Sequence, residues 1–80
     1  MTLAGTAVGA PVRVEAISLP ENLKRRLQML GLTKGTKIKV LRRKRNGAVI
    51  FYVRGTRYAA GKRIAQGIFV GAADAGRKDK

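Results

Sequence analysis

The side chains that most often carry catalysis are missing from this sequence. It has no histidine and no cysteine, the residues on which proton transfer near neutrality, thiol nucleophiles and soft metal sites depend. Its four carboxylates, Glu15, Glu21, Asp74 and Asp79, are scattered: one in an expected strand, one at an expected helix start and two near the C-terminal end. No two have the spacing of a general acid–base dyad or of an oxygen cage for a hard cation. Met1 and Met29 are too few and too far apart for a thioether site. The inventory excludes most hydrolytic, redox and metal-dependent catalysis by the chain acting alone, and the expectation is a non-catalytic protein with no metal site and no cofactor.

What the chain has in excess is positive charge. Eighteen Lys and Arg face four Asp and Glu, for a net charge of +14 on 80 residues. A chain of this length folds to a radius of gyration of about 12 Å, close to the Debye length of about 10 Å at 0.1 M salt. The positive field therefore extends beyond the surface on every side, and an acidic partner is expected. The absence of cysteine fits a reducing cytosol. The opening MTLAGTAVGA lacks the basic leader and the long apolar run of an export signal or a membrane span.

Hydropathy periods place the cations on elements. Pro11 to Ile17 alternates Val12, Val14 and Ala16 with Arg13 and Glu15, the period of a half-buried strand. Ser18 and Glu21 have capping-box spacing, Pro20 falls in the first turn, and Leu23, Leu27 and Leu30 recur at helical spacing up to Gly31. This predicts a short amphipathic helix with its leucine face in the core. Two alternating runs, TKIKVLRRKR and AVIFYVR, flank Asn46-Gly47, a signal for a two-residue type I′ hairpin. That loop would set Lys39 opposite Arg54, Val40 opposite Val53 and Arg43 opposite Ile50, with Ile38, Val40, Val49, Phe51 and Val53 on the core face. A second tight turn at Gly55-Thr56 would bring Arg57 opposite Arg54.

In that register Lys39, Arg54 and Arg57 line up across three strands, and the stripe continues to Arg42, Arg43, Lys44 and Arg45 at the hairpin tip. Like charges directly opposite destabilise a sheet by a few tenths to about 1 kcal/mol each. Two explanations stand equally: a stripe that faces an anionic partner, or long side chains that splay into water, with a bulge near Leu41 relieving the crowding.

Gly61 to Gly67 brackets KRIAQ, one turn of helix with Ile64 inward, and Ile68-Phe69-Val70 reads as a last short strand. Residues 72–80 read as a flexible basic tail after a domain spanning 1–71. The fold class that follows is mainly β: a small SH3-like five-stranded barrel with one inserted amphipathic helix and a short one-turn helix. A chain of this size buries about 60% of its unfolded surface, enough for one modest core.

These residues carry a resemblance. Leu30-Gly31-Leu32-Thr33 with Gly35, the strand ending Val40-Leu41-Arg42-Arg43, the Asn46-Gly47 hairpin, Arg54-Gly55-Thr56-Arg57-Tyr58-Ala59, and the closing Ile64-Ala65 and Ile68 resemble the FeoA family of ferrous iron transport proteins over residues 3 to 70. The resemblance implies a cytoplasmic SH3-like domain that assists the membrane permease FeoB, whose cytoplasmic part is a GTP-binding domain. It is also similar to the C-terminal module of some iron-dependent repressors, but no DNA-binding helix pair precedes it in this sequence. The family is associated with transition metals, whereas this sequence offers no His or Cys ligand, so the metal link is expected to lie with the permease.

The charge needs its own account. Near an inner membrane each Lys or Arg contributes about 1 kcal/mol of attraction to anionic lipid, with the hairpin tip as the natural contact. A nucleic-acid-binding SH3-like barrel, ribosome- or RNA-associated, is the alternative, since such an excess of cations is also the footprint of phosphate binding. Against it stand the few aromatics, Phe51, Tyr52, Tyr58 and Phe69, of which two are expected in the core. For a protein partner the candidate surface is the helix end and following turn, Met29, Leu30, Gly31, Leu32 and Thr33, beside Leu41 or Tyr52.

Overall fold

The computed structural model describes residues 1–73. After a 3-10 turn at Leu3–Gly5 come β1 (Pro11–Ile17), α1 (Glu21–Met29), β2 (Lys37–Arg43), β3 (Val49–Val53), β4 (Thr56–Ala60), α2 (Lys62–Gln66) and β5 (Ile68–Ala72). The strands form one antiparallel sheet in the order β4-β3-β2-β1-β5. The edge strands β4 and β5 are consecutive in the chain, and α2 joins them while packing against both and against the N-terminal 3-10 turn. The result is the mainly β, SH3-like architecture expected from the hydropathy periods.

The alternation rule holds where it was strongest. Ile38, Val40, Val49, Phe51 and Val53 are all buried, together with Val12, Val14, Ile68 and Val70. Phe51 packs against half-buried Tyr58 at a ring separation of 6.0 Å, tilted 37°. One core residue carried no periodic signal: Leu3, alone among Gly, Ala and Thr, is fully buried. Its segment is tied down by backbone bonds, the Val70 N–H donating to the Met1 carbonyl at 2.8 Å and Thr2 bridging Phe69.

The helices seat differently from expectation. No capping box forms: Pro20 occupies the N-cap of α1 without a side-chain bond, and the Ser18 N–H is used by the Gly67 carbonyl at 2.7 Å. No residue of α1 is fully buried; Leu23 and Leu27 are half-buried and Leu30 is 42% exposed. The helix ends as predicted at Gly31, whose φ of +108° supports a Schellman motif. The Leu32 N–H donates to the Leu27 carbonyl at 3.0 Å and the Gly31 N–H to the Gln28 carbonyl at 3.0 Å. In α2 the fully buried residue is Ala65, with Ile64 half-buried.

Irregularities in the ladders explain the remaining differences. The pairing of β1 with β5 slips at Glu15, between Val14 and Ala16, which puts Ala16 on the exposed side although the strand's alternation placed it inside. β5 runs two residues beyond the expected Val70, and the Ala73 N–H donates to the Pro11 carbonyl at 3.2 Å. Most of the expected tail, residues 74–80, lies outside the described residues.

Candidate functional site

The position of each cation follows from two turns. Between β2 and β3 the loop is three residues, not two: the Gly47 N–H donates to the Lys44 carbonyl at 3.0 Å, the Lys44 N–H to the Ala48 carbonyl at 2.9 Å, and Gly47 takes φ +93°. This is a type I turn followed by a left-handed glycine. The Asn46 side chain stabilises it by accepting from the Ala48 N–H at 3.0 Å, an alternative to the I′ geometry that Asn-Gly also favours. Between β3 and β4 the two-residue loop is Arg54-Gly55, with φ of +50° and +86°, so the type I′ turn sits one residue earlier than expected.

With the anticipated bulge at Leu41, these turns change the pairing. Lys39 faces Tyr52, Tyr52 faces Arg57, and on its other side Lys39 faces Pro11. The expected row Lys39-Arg54-Arg57 does not form. Tyr52 separates the two strand cations on the outer face of the sheet, 45% exposed, and the direct opposition of like charges is avoided. Arg54 stands in the turn, its side chain extended along Gly31, where an added Cβ would come within 2.6 Å of the Arg54 Cδ. Lys37, Lys39, Tyr52 and Arg54, with Pro11, line a groove of about 410 Å³. No carboxylate lines it.

The hairpin tip divides in two. Arg42 pairs with Ile50 on the outer side, and Lys44 and Arg45 project from the loop. Arg43 pairs with buried Val49 instead of Ile50, which turns it to the core side, where its Nη1 donates to the Thr6 carbonyl at 3.4 Å. That contact ties the hairpin to the N-terminal segment and removes Arg43 from the outward stripe. A cation that the sequence left aside joins the tip: the stem of Lys62, on α2, lies within 2.9 Å of where a Gly47 Cβ would be. Only the tertiary approach of α2 to the loop reveals it.

The helix end is the third feature. Met29 is 81% exposed and Leu30 42%, presented by the last turn of α1 with exposed Arg25 and Arg26 one turn before. Gly31 holds the turn, and Thr33, also exposed, shares a hydroxyl hydrogen bond with Thr36 at 2.9 Å. Leu32, expected on the same surface, is instead fully buried as the apolar contact of the Schellman motif. A half-open cleft of about 240 Å³ runs between β1 and α1, lined in part by exposed Glu15, Ala16, Gln28 and Lys34.

Tyr52 and Lys37 complete the outer face, the side on which the alternation of the two runs places both, although the candidate stripe did not include them. The signal was present in the alternation of VIFYVR, and the register alone hid which partner Tyr52 would have. Among the described residues no group of three or more His, Cys, Asp or Glu is placed to hold a metal ion. No helix among them is long and apolar enough to cross a membrane.

Comparison with known proteins agrees with this architecture. The model of the FeoA domain family matches residues 1–72. The solution structure of the FeoA protein from Chlorobium tepidum is 30% identical, with a TM-score of 0.83 over 90% of this chain and 70% of that one. A crystal structure of an iron uptake regulatory protein (FeoA) is 33% identical, with a TM-score of 0.77 over 88% of this chain and 92% of that one. Stenotrophomonas maltophilia FeoA in complex with zinc, described as a prokaryotic SH3 domain protein and a candidate ferrous iron transport activating factor, is 28% identical, with a TM-score of 0.77 and 89% of each chain covered. A manganese-dependent transcriptional repressor, 22% identical, shares the fold, with a TM-score of 0.82 over 90% of this chain and 41% of that one. Among curated proteins, none matches the sequence significantly.

Proposed function

The chain belongs to the FeoA family, and from that premise we propose that it is a cytoplasmic, non-catalytic accessory factor of ferrous iron uptake that binds the cytoplasmic, GTP-binding part of a FeoB-type permease. The observation that carries the docking surface is the end of α1. Met29 and Leu30 stand exposed on a helix that buries none of its own residues, and flexible, polarisable methionine suits a surface that must adapt to a partner. Arg25, Arg26 and Arg54 surround them and favour an acidic partner, raising the rate of encounter more than the final affinity.

Two further assignments belong to this reading. With no histidine or cysteine in the chain, the metal ion is cargo of the permease and is not held by this domain. The net charge of +14 keeps the domain close to an anionic inner-membrane surface, where the permease resides, through Arg42, Lys44 and Arg45 at the hairpin tip. Deletion of the gene in its own cell tests the function: ferrous iron uptake falls and is restored by the wild-type chain. Uptake unchanged by the deletion contradicts the proposal.

A further inference from the structure

The outer face of the sheet contains an arrangement that the permease partnership does not use. Tyr52 lies in one cross-strand row between Lys39 and Arg57. Side chains directly opposite in such a row have Cβ atoms about 4.5–5.5 Å apart, so both cations reach past the ring on either side. Lys37 lies two residues along β2 on the same side, and Arg54 closes the groove at the β3–β4 turn. The groove therefore combines a flat, exposed π-surface with three lining cations, Lys37, Lys39 and Arg54, and no negative charge, and Arg57 stands opposite Tyr52 on β4 beyond it. An aliphatic or carboxylate-only ligand would use the cations and leave the ring idle, whereas a chain of nucleotides uses both.

We infer that this face binds single-stranded nucleic acid, with one base stacked on Tyr52 and the flanking phosphates held by Lys39, Arg57, Lys37 and Arg54. Single-strand binding on β-barrels combines these two elements, an aromatic platform and a cationic track, with little sequence preference because every base has a π-face. Aromatics are scarce, and Phe51 is buried, but one exposed ring suffices for one stacked base, and in the observed pairing Tyr52 stands between the cations where that base would sit. The +14 charge extends the track beyond the groove and makes binding strongly salt-dependent. Only Arg54, whose stem runs along Gly31, is shared with the proposed permease-docking surface; Tyr52, Lys37, Lys39 and Arg57 are not part of it.

Fluorescence anisotropy of a labelled 12-nucleotide oligouridine, titrated with the full chain at low salt, tests the inference. Replacing the ring in Y52A weakens binding about 5- to 150-fold, the loss of one stacked base, and Y52F restores it because the ring, not the hydroxyl, makes the contact. K39E/R57E removes two phosphate contacts and flattens the slope of log K against log salt by about 1.4. R25E/R26E on α1, with the same change in net charge, leaves the effect of Y52A intact. An abasic strand of the same length binds the wild type no better than it binds Y52A. The inference is overturned if Y52A binds within twofold of the wild type, if the abasic strand binds as well as oligouridine, or if uridine monophosphate competes as effectively per nucleotide as the strand. Each of these would mean that the charged surface merely adsorbs polyanions or takes a free nucleotide. The exposure of Tyr52 keeps the variants folded, which circular dichroism verifies.

Discussion

Arg54 occupies a position that a structural reading would give to asparagine or glycine. It is the first residue of a type I′ turn, with φ +50°, and it is the one non-glycine residue with positive φ among the described residues. Left-handed backbone costs a side chain of this kind on the order of 1 kcal/mol. The sequence showed a turn at Arg54-Gly55-Thr56 but not which pair formed it, because glycine is equally at home in several of the candidate positions. R54N should therefore raise stability to urea by about 0.5–1 kcal/mol, while removing a cation from the groove and from the helix end. A loss of stability would mean that the packing of the Arg54 stem along Gly31 outweighs the backbone strain. The same level of detail decides Arg43: one residue of register turned it from a candidate binding residue into a hydrogen-bond donor to the Thr6 carbonyl.

The strands were legible as elements because inward and outward residues alternate without ambiguity: every residue expected on the core face of β2 and β3 is buried. Register was not legible, since Asn-Gly supports both a two-residue I′ loop and a three-residue loop ending in left-handed glycine, and a bulge at Leu41 adds a further slip. The helix shows a different limit. Leucines at i, i+4 and i+7 look the same in a fully seated helix and in one that rests lightly on its neighbours, and α1 is of the second kind. With no buried residue, α1 should open more readily than the sheet. Native-state hydrogen exchange is expected to show its amides opening at least about tenfold more often than those of β2 and β3. Equal protection would place α1 in the same cooperative unit as the barrel and would remove the adaptable character assigned to its exposed end.

At the scale of the whole molecule, charge and inventory set the account. The chain combines a net charge of +14 with no histidine or cysteine, and its membership of the FeoA family over residues 1–72 links it to iron uptake; the docking role is the proposal built on both. This much was readable from composition and from the ordered set of turns and strands, because both are local properties of the sequence. The division of the surface into an apolar helix end and a cationic sheet face with Tyr52 at its centre was not, because it depends on which strands lie opposite one another. The most direct test of the central claim is calorimetric titration of the purified chain into the cytoplasmic part of the FeoB permease from the same cell. The account predicts saturable binding that M29E and L30E each weaken at least about tenfold without loss of folded structure, as expected for exposed anchors at an interface centre. Absence of binding, or binding by both variants within twofold of the wild type, would contradict it.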